Sequence, residues 1–269
     1  MKFFIKAIIT IGITSSLMAK MTGGWNVSIE KDEMTNKKTC YTTGKWTKST
    51  KSLSFPYSDL TQTVGIGIDY TGKYWSYIAF SNDPNLTDEE NENGYTTATR
   101  RVKFDNNITN FSFVRDWGSR FAHTANDDEF IDKLMTSKLM LTEQEQYGNG
   151  KIYYQINLTG MQNAYDSCRK SLGLNSYAKD KSMRDEAKAK FDSEFIAKAT
   201  QLFKMVKSEQ KEYDVNIVVT YYGTVDITNT ANIDYFANRD IEKLMEEASK
   251  TMNNPYKESK EYKIRIIKE

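Results

Sequence analysis

Histidine is nearly absent from this chain: there is one, His123, in 269 residues. A metal centre built on several histidines is therefore excluded, and a Ser-His-Asp or Cys-His site has a single candidate base. Cysteine is as scarce, with only Cys40 and Cys168. No C-x-x-C spacing or Cys/His cluster offers a zinc site or a redox pair. Three prolines argue against a disordered, Pro-rich chain. An excess of one charge is missing too: 37 basic residues face 36 acidic ones, so a nucleic-acid binder is not indicated. Past the amino terminus there is no apolar run long enough to span a bilayer, so stable membrane insertion is not expected. No Gly-rich phosphate loop follows a strand, and "DPNLTDEENENG" fails as a calcium loop, because Asp88 stands where the turn needs Gly and Gly94 where it needs Glu. No cofactor and no metal are expected.

What is present begins with "MKFFIKAIITIGITSSLMAKM". Lys2 and Lys6 precede an apolar run ending near Ile13, then small polar residues and Ala19. That order is the one a secretory signal peptide shows, with a cut expected after Ala19; the alternative is an uncleaved anchor. Cleavage removes two lysines and takes the side-chain balance from +1 to −1. In an oxidising compartment, two cysteines fit one disulfide. A bridge closing so long a loop stabilises by roughly 4–5 kcal/mol in the chain-entropy description.

From Trp25 to about Ser171 the pattern is mostly period two. In "VGIGIDYTGKYWSYIAF", Val64, Ile66 and Ile68 share a strand face, and a turn at Thr71-Gly72 leads to an aromatic strand. "TTATRRVKFDNNITNFSFV" reads as two strands bent at Asp105-Asn106-Asn107, and "KIYYQINL" as another. Two short helices interrupt them. "NDDEFIDKLMTS" is capped by Asn126 or Asp127, and "MQNAYDSCRKSL" carries Cys168 toward the core. The expectation is a β-rich antiparallel domain over 20–172, stapled by Cys40 and Cys168, then a polar linker over 173–184.

Beyond the linker, over 185–269, Ala187, Phe191, Phe195, Ala199, Leu202 and Val206 mark an amphipathic helix. "VNIVVTYYGTVDITNT" follows as a hairpin with Gly223 at its tip. Next come a helix with Ile241, Leu244, Met245 and Ala248, a stop at Pro255, and a final strand "EYKIRIIKE". A lone hairpin is marginal in water; a third strand and two covering helices make a small α-β-β-α-β domain. The fold class is α+β.

This order resembles the carboxy-terminal domain of the TonB/TolA family of periplasmic proteins. The resemblance rests on "VNIVVTY", Gly223, "VDIT", "DIEKLMEEA", the "NPY" break and "KIRII", and covers roughly Arg184 to Glu269. It implies a periplasmic location and binding of other envelope proteins through an edge strand, with Lys263, Ile264, Arg265, Ile266 and Ile267 as that strand. Main-chain hydrogen bonds would then supply affinity and side-chain pockets specificity. The same lysines and arginine equally suit an edge blunted against aggregation. The chain departs from the family's energy-transducing members, which keep a membrane anchor and a long spacer. "DDEFIDKLMTSKLML" with "YYQINLTGMQNAYDSC" resembles a layout of exported bacterial proteins that pair an early and a late cysteine.

The expected function is thus a non-catalytic periplasmic adaptor, with partner and oligomeric state left open. The alternative is an exported hydrolase around His123, drawing on Ser119, Asp127 or Asp128. A further candidate, an aromatic ligand platform of Tyr70, Tyr74, Trp75, Tyr77 and Phe80, stands against ordinary strand packing.

Overall fold

The structure, a computed structural model, describes residues 17–87, 89–92, 94–116, 118–205, 210–220, 222–229, 233, 235–256 and 259–267. Most of the expected signal peptide lies outside the described residues. The chain forms two compact units, Met1–Tyr177 and Ala178–Glu269. Both are built on antiparallel sheets, and the chain as a whole is α+β.

The first unit contains β1 (Leu17–Thr22), β2 (Trp25–Lys31), β3 (Lys38–Thr43), β4 (Thr47–Lys48), β5 (Thr61–Asp69), β6 (Tyr74–Phe80), β7 (Glu90–Glu92), β8 (Tyr95–Phe104), β9 (Asn107–Asp116) and β10 (Phe121–Thr124). Helix α1 (Asp127–Thr136), β11 (Leu139–Gln146), β12 (Gly150–Asn157) and α2 (Met161–Ser171) follow. The strands join in the order β1-β2-β3-β5-β6-β10-β9-β8-β11-β12, with β4 on β5 and β7 on β8. The sheet curls on itself. Just past β4, Ser49 bridges Tyr154 of β12, and Thr50 N–H donates to the Tyr153 carbonyl at 2.8 Å. The strands from β5 round to β12 therefore form a ring closed through β4, and β3, β2 and β1 extend from β5 as a flap. The expected cut after Ala19 falls inside β1.

Alternation sets the core. Val64, Ile66 and Ile68 of β5 and Ile78 and Phe80 of β6 all point inward. Helix α1 is capped by Asn126, whose side chain accepts from Glu129 N–H. It inserts Phe130 edge-on against Phe104, Phe111 and Phe113, at 5.7, 5.1 and 5.8 Å between ring centres. On the outer face of the sheet, Gly65 and Gly67 of β5 lie beneath the rings of Tyr77 and Trp75. A Cβ at either position would overlap the ring above it.

The second unit contains α3 (Tyr177–Met205) from its second residue on, then β13 (Glu212–Val219), β14 (Val225–Asn229), α4 (Tyr235–Thr251) and β15 (Lys260–Ile267). Its sheet runs β14-β13-β15. Phe191, Phe195, Ala199 and Phe203 from α3, with Ile241 and Met245 from α4, form one core with Val215, Ile217, Val219, Ile264 and Ile266.

Three details differ from the sequence reading. The segment expected as a linker over 173–184 is mostly helix, since α3 starts at Tyr177. The residue that opens this helix, Tyr177, belongs to the first unit: its N–H donates to Asp166 at 2.6 Å, its hydroxyl donates to Asp132, and its ring is buried against Tyr165. Further along α3, Phe203 rather than Leu202 is fully buried, Ala187 is exposed, and Val206 lies outside the described residues. In α4, Ser249 rather than Ala248 is buried and Leu244 faces outward.

Candidate functional site

The expected partner strand, β15, lies at one edge of the three-stranded sheet. It pairs with β13 from Lys260↔Val219 to Ile267↔Glu212. Among the described residues no strand pairs with its other side. By strand geometry, every second residue there turns its N–H and C=O away from β13. Tyr262, Ile264 and Ile266 are buried beneath the helices, while Lys263, Arg265 and Ile267 face the opposite, open side. The five candidate residues therefore divide into two sets. Arg265 pairs with Glu212 of β13 at 2.7 Å, and Lys263 with Glu261 at 3.7 Å. The hydrogen bond that Arg265 donates to Glu212 raises the Arg265 pKa above its ordinary value.

Bracing of this edge was not visible in the sequence. Asp192 of α3 accepts hydrogen bonds from the hydroxyls of Tyr262 on β15 at 2.5 Å and Tyr256 before it at 2.7 Å. Lys260 is 4.0 Å from the same carboxylate. Burial, together with the Asp192 charge, pushes both phenols well above their usual range. The edge strand is thereby tied to a helix by polar bonds as well as by its apolar face. The only sequence signal was the recurrence of tyrosine near Pro255.

The two cysteines are joined. Cys40 of β3 and Cys168 of α2 form a buried disulfide with Cα atoms 5.8 Å apart, clamping the flap to the helix that covers it.

The residues gathered around His123 do not form a catalytic constellation. His123 lies on the exposed outer face of β10, beside the Tyr77 ring at 6.1 Å. Crowding by the surrounding sheet lowers its pKa, partly offset by Asp127 and Asp116. Asp127 is engaged elsewhere: its Oδ1 accepts from Ser76 N–H at 2.6 Å, Ser76 Oγ at 2.7 Å and Thr124 Oγ1 at 2.8 Å. Thr124 is buried on the face of β10 opposite His123. Asp128 accepts from the Tyr74 hydroxyl. Ser119 Oγ accepts from Phe121 N–H at 3.1 Å, closing a turn. These groups fasten α1 and the β9–β10 turn to the sheet. No hydrogen bond reaches the His123 imidazole among the described residues.

The aromatic platform also divides. Tyr74 and Phe80 turn to the inner face and Trp75 and Tyr77 to the outer, where Trp75 meets Tyr41 and Tyr77 meets Phe121 edge-on. Tyr70 is exposed, with Lys37 over its ring.

One polar cluster escaped the sequence reading. Glu89, within the stretch that fails as a calcium loop, has its side chain buried between Arg115 and Arg100. Its Oε1 accepts from Arg115 Nε at 3.0 Å and from Arg100 Nη2 at 3.2 Å. Arg115 Nη1 also donates to Asp83 at 3.2 Å and to the Ser119 carbonyl at 2.6 Å. Burial works against the Arg115 charge, but the Glu89 and Asp83 bonds outweigh it and raise the pKa. No group of three or more metal-ligating side chains occurs among the described residues. No helix there is long and apolar enough to cross a membrane.

No family model and no curated protein matches this chain. Among solved structures, invasion associated protein B from Bartonella henselae aligns with 56% of this chain and 96% of its own, at 11% identity and a TM-score of 0.35. A likeness at that level carries no argument about fold or function.

Proposed function

We propose that this is an exported periplasmic binding or adaptor protein without catalysis, whose second unit is a TonB/TolA-like interaction module. It takes a strand of an envelope partner along β15. The observation that carries this reading is the edge of β15, paired on one side only among the described residues and held in place by Asp192. A pre-ordered edge reduces the entropy lost when a partner strand docks. Arg265 and Lys263 are already paired to acids on their own face, so they complement a partner less than they keep the edge soluble until one arrives.

The reading is tested with a photo-reactive side chain introduced at Lys263 or Ile267, and as controls at Asp226 or Thr228 on the opposite edge strand β14. Irradiation in intact cells should give a discrete adduct from the β15 positions and none from β14. Adducts of equal yield from both edges, or from neither, reject strand addition at β15.

A further inference from the structure

The interior of the first unit's ring is mostly apolar, but one end sets polar side chains among apolar ones such as Phe111 and Ile152. At the polar end the inward positions hold Arg100 of β8, Arg115 of β9, Gln144 of β11, Tyr154 of β12 and Gln62 of β5, none more than 6% exposed. They converge. Thr142 of β11 pairs with Tyr154 across one ladder and with Val102 of β8 across the other. Extending the second register by two residues sets Gln144 beside Arg100. Thr142 Oγ1 donates to Gln62 Oε1 at 2.5 Å, which brings β5 to the same place. Glu89 enters from a segment strapped along β11, where Thr87 N–H donates to the Glu145 carbonyl at 2.9 Å.

Two independent observations mark this as more than packing. A carboxylate is held between guanidinium groups from two strands, in buried surroundings where apolar side chains of similar volume would commonly be no less stable. On the inward face of the neighbouring strands, three buried polar atoms have no hydrogen-bond partner among the described residues: Gln62 Nε2, Gln144 Oε1 and Tyr154 Oη. They comprise a donor, an acceptor and a hydroxyl that serves as either. Buried groups of this kind are ordinarily satisfied, and the mouths of β-barrels are common places for small ligands.

We propose that the polar end of the ring binds a small polar molecule bearing an anionic oxygen group, and that Glu89 occupies the position of that group in the free protein. The ligand's anion replaces the Glu89 carboxylate between Arg100 and Arg115, and its remaining polar atoms pair with Gln62, Gln144 and Tyr154. Glu89 is then an internal competitor, so its removal strengthens binding in proportion to its occupancy. This site lies wholly in the first unit and does not depend on strand addition at β15.

The test uses the full chain, its Glu89→Gln variant and the Glu89→Gln/Arg115→Met double variant. Acetate, succinate and inorganic phosphate are titrated into each, against chloride at matched ionic strength, with melting temperature and amide NMR shifts as readouts. At least one anion should bind Glu89→Gln saturably and at least tenfold more tightly than the parent, and the double variant should lose the effect. A folded Glu89→Gln that shows no saturable response to any of the three overturns the proposal. Should that variant fail to fold, the parent chain decides. Succinate shifts at the amides of Gln62, Gln144 and Tyr154 support the site. Shifts confined to surface lysines, or none, overturn it. A Tyr154→Phe variant more stable than the parent also overturns it, because the hydroxyl then has no partner in solution. A less stable Tyr154→Phe without an anion response means a site filled by water alone, which overturns it as well.

Discussion

Removing the disulfide should separate the stabilities of the two units. The perturbation is Cys40→Ala with Cys168→Ala. The bridge spans a sequence separation of 128. For a loop of that size, the chain-entropy model assigns about 5 kcal/mol at 25 °C to the cross-link's effect on the unfolded chain. In a unit of this size each kcal/mol moves the melting temperature by about 2–4 °C, so a fall of about 10–20 °C is expected. The assay is built into the sequence. All four tryptophans, at positions 25, 46, 75 and 117, precede Tyr177, and none follows. Trp25 is buried, with its indole N–H donating to the Thr159 carbonyl at 3.2 Å, so its emission changes when the first unit opens. Tryptophan fluorescence in urea therefore follows the first unit, while far-UV circular dichroism also records α3 and α4. The double variant should shift the fluorescence midpoint down and leave a dichroism transition at its original position. Coincident fluorescence midpoints for variant and parent would refute the reasoning, because the cross-link would then exert no constraint on the unfolded chain.

Gly67→Ala should cost about 1–3 kcal/mol, the usual price of forcing a side chain aside in a filled site; its Cβ would overlap the Trp75 indole, so thermal melts should fall and the emission of Trp75 should change. Asp192→Ala strands the hydroxyls of Tyr256 and Tyr262 and should destabilise the second unit by about 1–3 kcal/mol, read by dichroism with tryptophan emission unaffected. The lowered pKa of His123 makes the folded protein the weaker proton binder, so stability is fully present above about pH 6.5 and declines as pH falls from there through the folded pKa. His123→Gln should flatten that slope, and an unchanged slope would locate the titration elsewhere.

The order of elements in the second unit was legible because each has a strong period and its breakers are in place. Val215, Ile217 and Val219 alternate, Gly223 adopts a φ of 77° at the tip, and Pro255 follows α4. Boundaries were less legible. Residues 177–184 read as linker because they are polar on most sides, yet Tyr177 buries its ring in the first unit and starts the helix there. Short strands such as β4 and β10 carry too few residues to show a period, and the closure of the ring through Ser49 and Tyr154 is a long-range pairing with no local mark. The candidate sites divide in the same way. The disulfide followed from counting; the strand β15 followed from alternation, and its role as a partner edge only from the resemblance. The Glu89 cluster could not be read, because a glutamate among other acids gives no sign that two arginines on distant strands await it. One clue did exist: Arg100 and Arg115 fall on the inward phase of strands whose other inward residues include Ala98, Val102, Phe104, Phe111 and Phe113.

The clamp between β3 and α2 also governs how the protein breaks. A protease that nicks any loop between Cys40 and Cys168 severs the backbone but leaves both pieces covalently attached. Such a nicked chain migrates intact without reductant and falls into two fragments once thiol is added. Wear on the exposed turns of the ring thus accumulates without shedding any part of the molecule.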